Sequence, residues 1–277
     1  MRLLLALLLL LTTLAPASED AALGHAILAY KAEKFQTALD EFKAIAQDEN
    51  KISAALCHNI GNAEYKLGQA ADGDKADQRK AAGARYGQAS IWYRRALALD
   101  PWLPEAQQNL RYLQSKLGFH FFAPDSFLEK AAAKFPRWQW RTAVLISLWT
   151  AGLAIVWLAW ATPRAGRRWP LVTLLSIACV FGTCAGLGLW KKMSDRAPFA
   201  KRLVNIVSPE SSARTAPLEV ANSVMPLKPG SELLPIREEG YWTYVEVPGN
   251  DADHPTRGWV RTTTLEKLWP WDPALIE

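Results

Sequence analysis

Two long apolar runs dominate the hydropathy pattern. Residues 142–162 read TAVLISLWTAGLAIVWLAWAT and residues 169–190 read WPLVTLLSIACVFGTCAGLGLW, and neither holds a charged residue. A helix of about 20 such residues crosses the hydrocarbon core of a bilayer. Lipid gives backbone groups no hydrogen-bond partner, so a spanning segment is a helix or part of a closed barrel, and these runs lack the alternation of barrel strands. The pattern therefore predicts a helical hairpin, with spans at 142–162 and 169–190 around a loop at 163–168. A shorter Leu-rich run follows Arg2 and ends in small residues at Ala15 and Ala17. It reads as a secretory signal peptide over 1–17. Export of the segment after it, and a two-pass hairpin, put both soluble ends on the same side of the membrane. The inner loop carries three Arg, but the outer flanks are as basic, so the signal peptide sets this topology and the loop charge does not.

Between the leader and the hairpin the period is helical. HAILAYKAEKFQTALDEFKAIA (25–46) reads as one helix pair, and ALCHNIGNAEYKLGQ (55–69) with YGQASIWYRRALALDP (86–101) as a second. Asp100-Pro101 stops the last of these, and a lone helix is expected over 105–117. After residue 200 the period shortens. Short strands are expected at 203–207, 212–217, 225–236, 241–247 and 257–260, joined by Pro and Gly turns, which argues a small all-β barrel. The fold expected is a multidomain membrane protein: helical repeats at 18–118, an aromatic and basic neck at 119–141, the hairpin, a linker at 191–200, a β module at 201–268 and a tail at 269–277.

Composition changes this picture in three places. The net charge of +5 crowds at the hairpin, in Lys134, Arg137, Arg141, Arg164, Arg167, Arg168, Lys191, Lys192 and Arg196. Anionic lipid headgroups, not nucleic acid, are the partner this predicts. More than half of the 13 Trp lie between Trp138 and Trp190, where amphipathic rings favour the membrane interface. The three cysteines, Cys57, Cys179 and Cys184, are too few for a disulfide framework or a metal site, and no cofactor is expected.

The helical segment resembles tetratricopeptide repeats. Ile60, Gly61, Tyr65 and Gly68 fit the first-helix pattern, and Ala89, Tyr93, Ala96 and Pro101 the second. Residues 70–83, AADGDKADQRKAAG, stretch the second repeat and read as a solvated loop or an extra helical turn. The resemblance implies a concave face that Asn59, Asn62, Tyr65, Lys66 and Asn109 would line. Amide and ammonium donors there suit a partner's carboxylate or a peptide tail. The C-terminal segment resembles a bacterial SH3-like domain, through Ala213 to Pro217, Lys228-Pro229-Gly230, Gly240-Tyr241-Trp242 and Gly258-Trp259-Val260. Tyr241, Trp242, Tyr244 and Trp259 are its candidate groove for peptide or cell-wall glycan, with part of the set expected in the core.

No catalytic motif appears: there is no GxSxG, P-loop, HExxH or paired CxxC. Cys57 and His58 are adjacent, but sequence neighbours on a helix point different ways. His254 sits alone in a polar loop. The order of modules resembles the BatE-type proteins of bacterial aerotolerance operons. That resemblance implies a two-pass inner-membrane protein with periplasmic modules. It implies neighbours of the von Willebrand membrane type and the MoxR ATPase type, and no known reaction. The expected function is a non-enzymatic adaptor that binds membrane proteins, and the alternative is peptidoglycan binding through the β module.

Overall fold

Ser53 opens the helix on which the N-terminal half packs. Its hydroxyl accepts a hydrogen bond from the Leu56 N–H at 3.2 Å, satisfying one of the N–H groups a helix start leaves open. The computed structural model describes residues 17–122, 127–160, 169–206, 211–248 and 256–276. The N-terminal layer holds α1 (Ala17–Lys31), α2 (Phe35–Ile45), α3 (Ala54–Ala71), α4 (Ala76–Leu99) and α5 (Pro104–Leu117), each packed on the next. Ala26, Ala38, Leu39, Phe42, Leu56, Cys57, Ile60, Ala63, Trp92 and Ala96 form their main core. At Gly61 an added Cβ would lie 2.6 Å from the Tyr93 ring, so glycine sets the α3–α4 spacing. Glu64 is fully buried and bridges three helices, accepting from Lys43 Nζ at 2.7 Å and Arg85 Nη1 at 2.8 Å. The stretch at 70–83 is mostly helix: residues 72–75 link α3 to α4, and the rest lengthens α4 at its start.

The hairpin is α7 (Arg137–Trp160) and α8 (Trp169–Ser194), with the short α6 (Phe127–Lys134) packed on α8. Two stretches, Arg137–Trp157 and Val172–Lys201, are long and apolar enough to cross a membrane. Only 11% and 17% of their apolar windows are buried, the reverse of helices in a soluble core. Ser147, Ala154, Ala178 and Ala185 face inward along the seam, while Leu145, Leu148, Trp149, Val180 and Phe181 face out. All but the last residue of the expected signal peptide at 1–17, the loop at 163–168 and His254 lie outside the described residues.

The neck divides. Phe119 is buried against the helical layer. Phe135 stacks near Trp102 of the helical layer and edge-on to Trp140. Phe127 is 88% exposed and Trp138 also faces out.

The short helix α9 (Arg196–Lys201) leads into seven antiparallel strands: β1 (Leu203–Asn205), β2 (Ser212–Arg214), β3 (Ser223–Pro226), β4 (Glu232–Glu239), β5 (Trp242–Val247), β6 (Thr256–Arg261) and β7 (Leu265–Lys267). Their order is β3-β2-β6-β5-β4-β1-β7. The closed barrel expected from the turn spacing does not form. β3 and β7 are both edges, and the β7 edge is covered by α4. Arg95 Nη2 donates to the Lys267 carbonyl and Arg95 Nε to the Leu268 carbonyl, both at 2.9 Å. A helix over an exposed edge removes the need for closure.

The β module is thus packed directly on the helical layer. Glycine at position 87 lets Pro229 and Gly230 approach the axis of α4, since a Cβ there would meet Pro229 Cβ at 3.3 Å. Gly230 itself has φ +89, and a side chain on it would strike Phe119 and Ser90 at 2.9 Å. Ile91, Val204 and Leu268 form a shared apolar cluster. At its edge, Arg94 pairs with Glu232 at 3.0 Å. The tail after β7 packs back on the helices. Trp269 and Ile276 are buried with Ala98, and Trp271 packs against Trp92. Residues 268–276 form a strap along α4. Arg95 stacks between Trp92 and Trp271, 4.3 and 5.2 Å from their ring centres.

Candidate functional site

Helical spacing builds a cleft on the face of the helical layer lined by α1, α3 and α5. Asn62, Tyr65 and Lys66 share one side of α3, being three and four residues apart. Gln108, Asn109 and Tyr112 do the same on α5. Tyr30 from α1 and Tyr93 from α4 complete a cleft of about 360 Å³. That lies within the few hundred Å³ typical of ligand sites. Its wall is a set of phenols and carboxamides with a single cation.

The floor is a hydrogen-bonded amide network. Tyr93 Oη donates to Asn62 Oδ1 at 2.8 Å, and Asn109 Nδ2 donates to the same oxygen at 3.0 Å. Asn109 Nδ2 also lies 3.2 Å from His58 Nε2. The other ring nitrogen, Nδ1, lies 3.5 Å from Asn62 Nδ2, so both ring nitrogens face amide donors. Burial holds the His58 pKa below the usual histidine range, against a smaller opposing pull from Glu105, so the ring is neutral at pH 7. Tyr65 stands over this floor, 5.6 Å from the Tyr86 ring and 6.0 Å, edge to face, from Tyr112. Lys116 donates to Tyr86 Oη at 2.8 Å and to Asp72 at 3.1 Å, which fixes the neighbouring end of the cleft. Lys66 makes no ion pair among the described residues.

Burial, then the hydrogen bond with Tyr112, pushes the Tyr65 pKa up to about 12. Burial also raises Tyr30, Tyr86 and Tyr93. The folded state therefore favours the protonated phenols over an unfolded value of about 10. Their contribution to stability is complete below about pH 10 and is lost as pH rises toward 12. Denaturant unfolding of the detergent-solubilised protein should show a falling midpoint over that range, with a shallower fall in Tyr65→Phe.

Of the candidates from sequence, Asn62, Tyr65, Lys66 and Asn109 come together in the cleft, and Asn59 does not line it. Tyr30, Tyr93, Gln108 and Tyr112 are the residues that sequence reasoning missed. Tyr112 was legible, three residues beyond Asn109. Tyr93 entered only as part of the second-helix pattern; its ring lies in the core and its hydroxyl reaches the floor.

The β-module set separates. Trp242 and Tyr244 share the outer face of the sheet with Trp259, because strand residues two apart point the same way. Tyr244 and Trp259 stack with centroids 5.1 Å apart, Arg237 lies over Trp259, and Trp259 is only 6% exposed. Trp242 is half-buried under Arg261, while Tyr241 stands apart in the turn, 80% exposed.

Cys57 faces the helical core and is fully buried. Burial pushes its thiol up to about 12, against a weaker pull from Arg95. A thiol held protonated is a poor nucleophile. Iodoacetamide at pH 8 should leave Cys57 unmodified in the folded protein and alkylate it in denaturant. Rapid labelling of the native protein, read by peptide mass, would contradict this. Compared with family models, curated proteins and solved structures, the chain matches none.

Proposed function

We propose that this protein is a membrane-anchored adaptor, whose tetratricopeptide-like layer holds a peptide segment of a membrane protein in the tyrosine–amide cleft. The cleft carries the proposal. Carboxamides and phenol hydroxyls offer both donors and acceptors to an extended backbone, and ring faces take up side chains at low ordering cost. One cation, Lys66, favours an acidic or C-terminal group at one end of the ligand. In this reading the α7–α8 hairpin crosses the inner membrane and both soluble modules are periplasmic. The shared core between repeats and β module supports that arrangement, because two modules in one packed unit occupy one side. The von Willebrand-type membrane proteins implied by the BatE-like order of modules are the first partners to test.

The test uses the intact chain, since removing the repeats would strip the β module of its packing. A photo-crosslinking residue at Tyr112 in living cells should trap discrete membrane proteins. Asn62→Ala with Lys66→Ala should reduce those adducts at least tenfold, in line with about 1–1.5 kcal/mol for each lost hydrogen bond. Adducts unchanged by the double substitution would sink the cleft as the binding site. Peptidoglycan binding through the SH3-like module is the second reading. It rests on the exposed Tyr241 and the half-exposed Trp242. It predicts co-sedimentation with purified cell wall that Tyr241→Ala abolishes and the cleft variants leave intact.

A further inference from the structure

We infer that His58, beneath the tyrosine–amide cleft, takes up a proton when a carboxylate-bearing ligand binds, and that the charged ring turns the Tyr93 hydroxyl toward that ligand. The inference rests on the reading of the cleft as a ligand site. It gives that site a positioning residue, which acts through Asn62 and Asn109 without lining the wall itself.

Three contacts close the floor into a ring, and a fourth hangs Tyr93 on it. His58 Nε2 lies 3.2 Å from the side-chain amide of Asn109, and Nδ1 lies 3.5 Å from that of Asn62. The same end of Asn109 meets the other end of Asn62 at 3.0 Å. That end of Asn62 also meets Tyr93 Oη at 2.8 Å.

Each contact needs one donor and one acceptor. A carboxamide has one donating and one accepting end, and either can be turned to a neighbour. A neutral imidazole has one nitrogen of each kind. With the proton on Nδ1, Asn62 turns its oxygen to the ring and its nitrogen to Asn109. Asn109 then offers its oxygen, which meets the lone pair of Nε2. With the proton on Nε2, the same fault moves to Nδ1. A neutral ring therefore leaves one contact unsatisfied in either tautomer. An imidazolium donates from both nitrogens, and every contact is satisfied. In that state the Asn62 nitrogen donates to Asn109 and to Tyr93 Oη, so the Tyr93 O–H is free to donate into the cleft it lines.

Burial opposes the charge, and in the empty cleft it keeps the ring neutral. A ligand carboxylate shifts the balance. It accepts from the outward Tyr93 hydroxyl, the arrangement that the charged ring requires, and its own charge offsets the imidazolium. The neighbours add little that competes. Glu105 of α5 pulls the ring toward the charged form. Lys43 of α2 and Arg85 of α4 are both paired with Glu64. Lys66 of α3 shares the cleft wall. The Tyr93 ring of α4 stands 5.8 Å away. Burial raises its phenol and those of Tyr30 on α1 and Tyr65 on α3, so all three stay protonated below pH 8. Binding that takes up a proton strengthens as pH falls, by at most about tenfold per pH unit for one proton.

The test uses the full chain and two readouts. In uncharged detergent, with nitrogen-15 in the histidines, acidified His58 of the ligand-free protein should show two ring N–H protons that exchange slowly, because both are donated. Exposed His25 should exchange fast. Fast exchange at both His58 nitrogens would overturn the closed ring. In isolated membranes, adducts from the photo-crosslinking residue at Tyr112 should rise about threefold or more from pH 8 to pH 6. His58→Gln and Tyr93→Phe should both lose that rise. Tyr93→Phe keeps the buried ring and removes only the hydroxyl, so it decides the matter if near-UV circular dichroism shows that His58→Gln has lost its packing. Adducts independent of pH in the parent, or rising equally in Tyr93→Phe, would overturn the proton coupling and leave the cleft reading standing. Adducts that survive Asn62→Ala with Lys66→Ala at every pH would overturn the cleft reading and this inference with it.

Discussion

Replacing Glu232 with Ala should destabilise the soluble unit by about 3–5 kcal/mol, the range for breaking a buried ion pair from one side. Glu232 is the anion of a three-membered group at the seam between the two modules. Its Oε1 accepts from Arg94 Nε and its Oε2 from Arg202 Nη1, both at 3.0 Å, and Oε2 also takes the Phe122 N–H at 3.2 Å. Arg94 is buried, and burial pulls its pKa down while Glu232 pulls it up. Removing the carboxylate leaves that guanidinium in the interior, facing Phe119 at 4.6 Å, with only the Ser90 hydroxyl as a hydrogen-bond partner among the described residues. Denaturant unfolding of the full chain in detergent measures the loss. Glu238→Ala, an exposed change on the same strand, should stay within about 0.5 kcal/mol of the parent. The combined Arg94→Met and Glu232→Leu should recover much of the loss, because apolar groups of similar size need no counter-ion. A Glu232→Ala protein as stable as the Glu238→Ala control would show that the seam does not bear on stability.

Trp269→Ala should cost about 3–5 kcal/mol, as large aromatic deletions in cores do. The ring is 2% exposed, lies 5.1 Å from Trp271 and 6.5 Å from Phe199, and donates through Nε1 to the Asp272 carbonyl. It therefore holds the strap to itself, to α9 and to α4. Truncation after Leu268 should be at least as damaging, and the helical layer and the sheet should then unfold in separate transitions. A free tail predicts no change from either alteration. A single transition at the parent midpoint after truncation would show a free tail instead.

These two sites mark where sequence reading stopped. The cleft was half legible because side chains on a single helix obey a fixed period: Asn62, Tyr65 and Lys66 had to share a face once α3 was recognised. Tyr30 could not be placed from its own segment, because its position in the wall depends on how α1 leans on α3 and α5. The aromatic set of the β module failed for a related reason. Alternation along β5 predicts that Trp242 and Tyr244 share a face, but not that Arg237 from β4 and Arg261 from β6 would lie over its rings.

Five strands were expected and seven form: 225–236 divides into β3 and β4, β7 was not foreseen, and the sheet does not close. A barrel needs its two edges to meet. Here the β7 edge finds donors on Arg95 of another module, and nothing local in LEKLWPW announces that. The same holds for α4. YGQASIWYRRALAL shows one apolar face to α3, and its second face, with Ile91, Arg94 and Arg95, packs on the β module. Two adjacent arginines usually mean water, and Gly87 was the one local sign that another backbone comes close.

The chain alone determined what periodicity and transfer free energy determine: two runs too apolar for water, helices before them and short strands after them. Those follow from local spacing and from the partition of side chains between oil and water. Tertiary structure decided which faces of those elements meet. It turned a tail into a strap, left a sheet open against a helix, and paired Arg94 with a carboxylate far along the chain. Contacts of that kind gain their energy only when distant segments arrive together, so no window of sequence contains them.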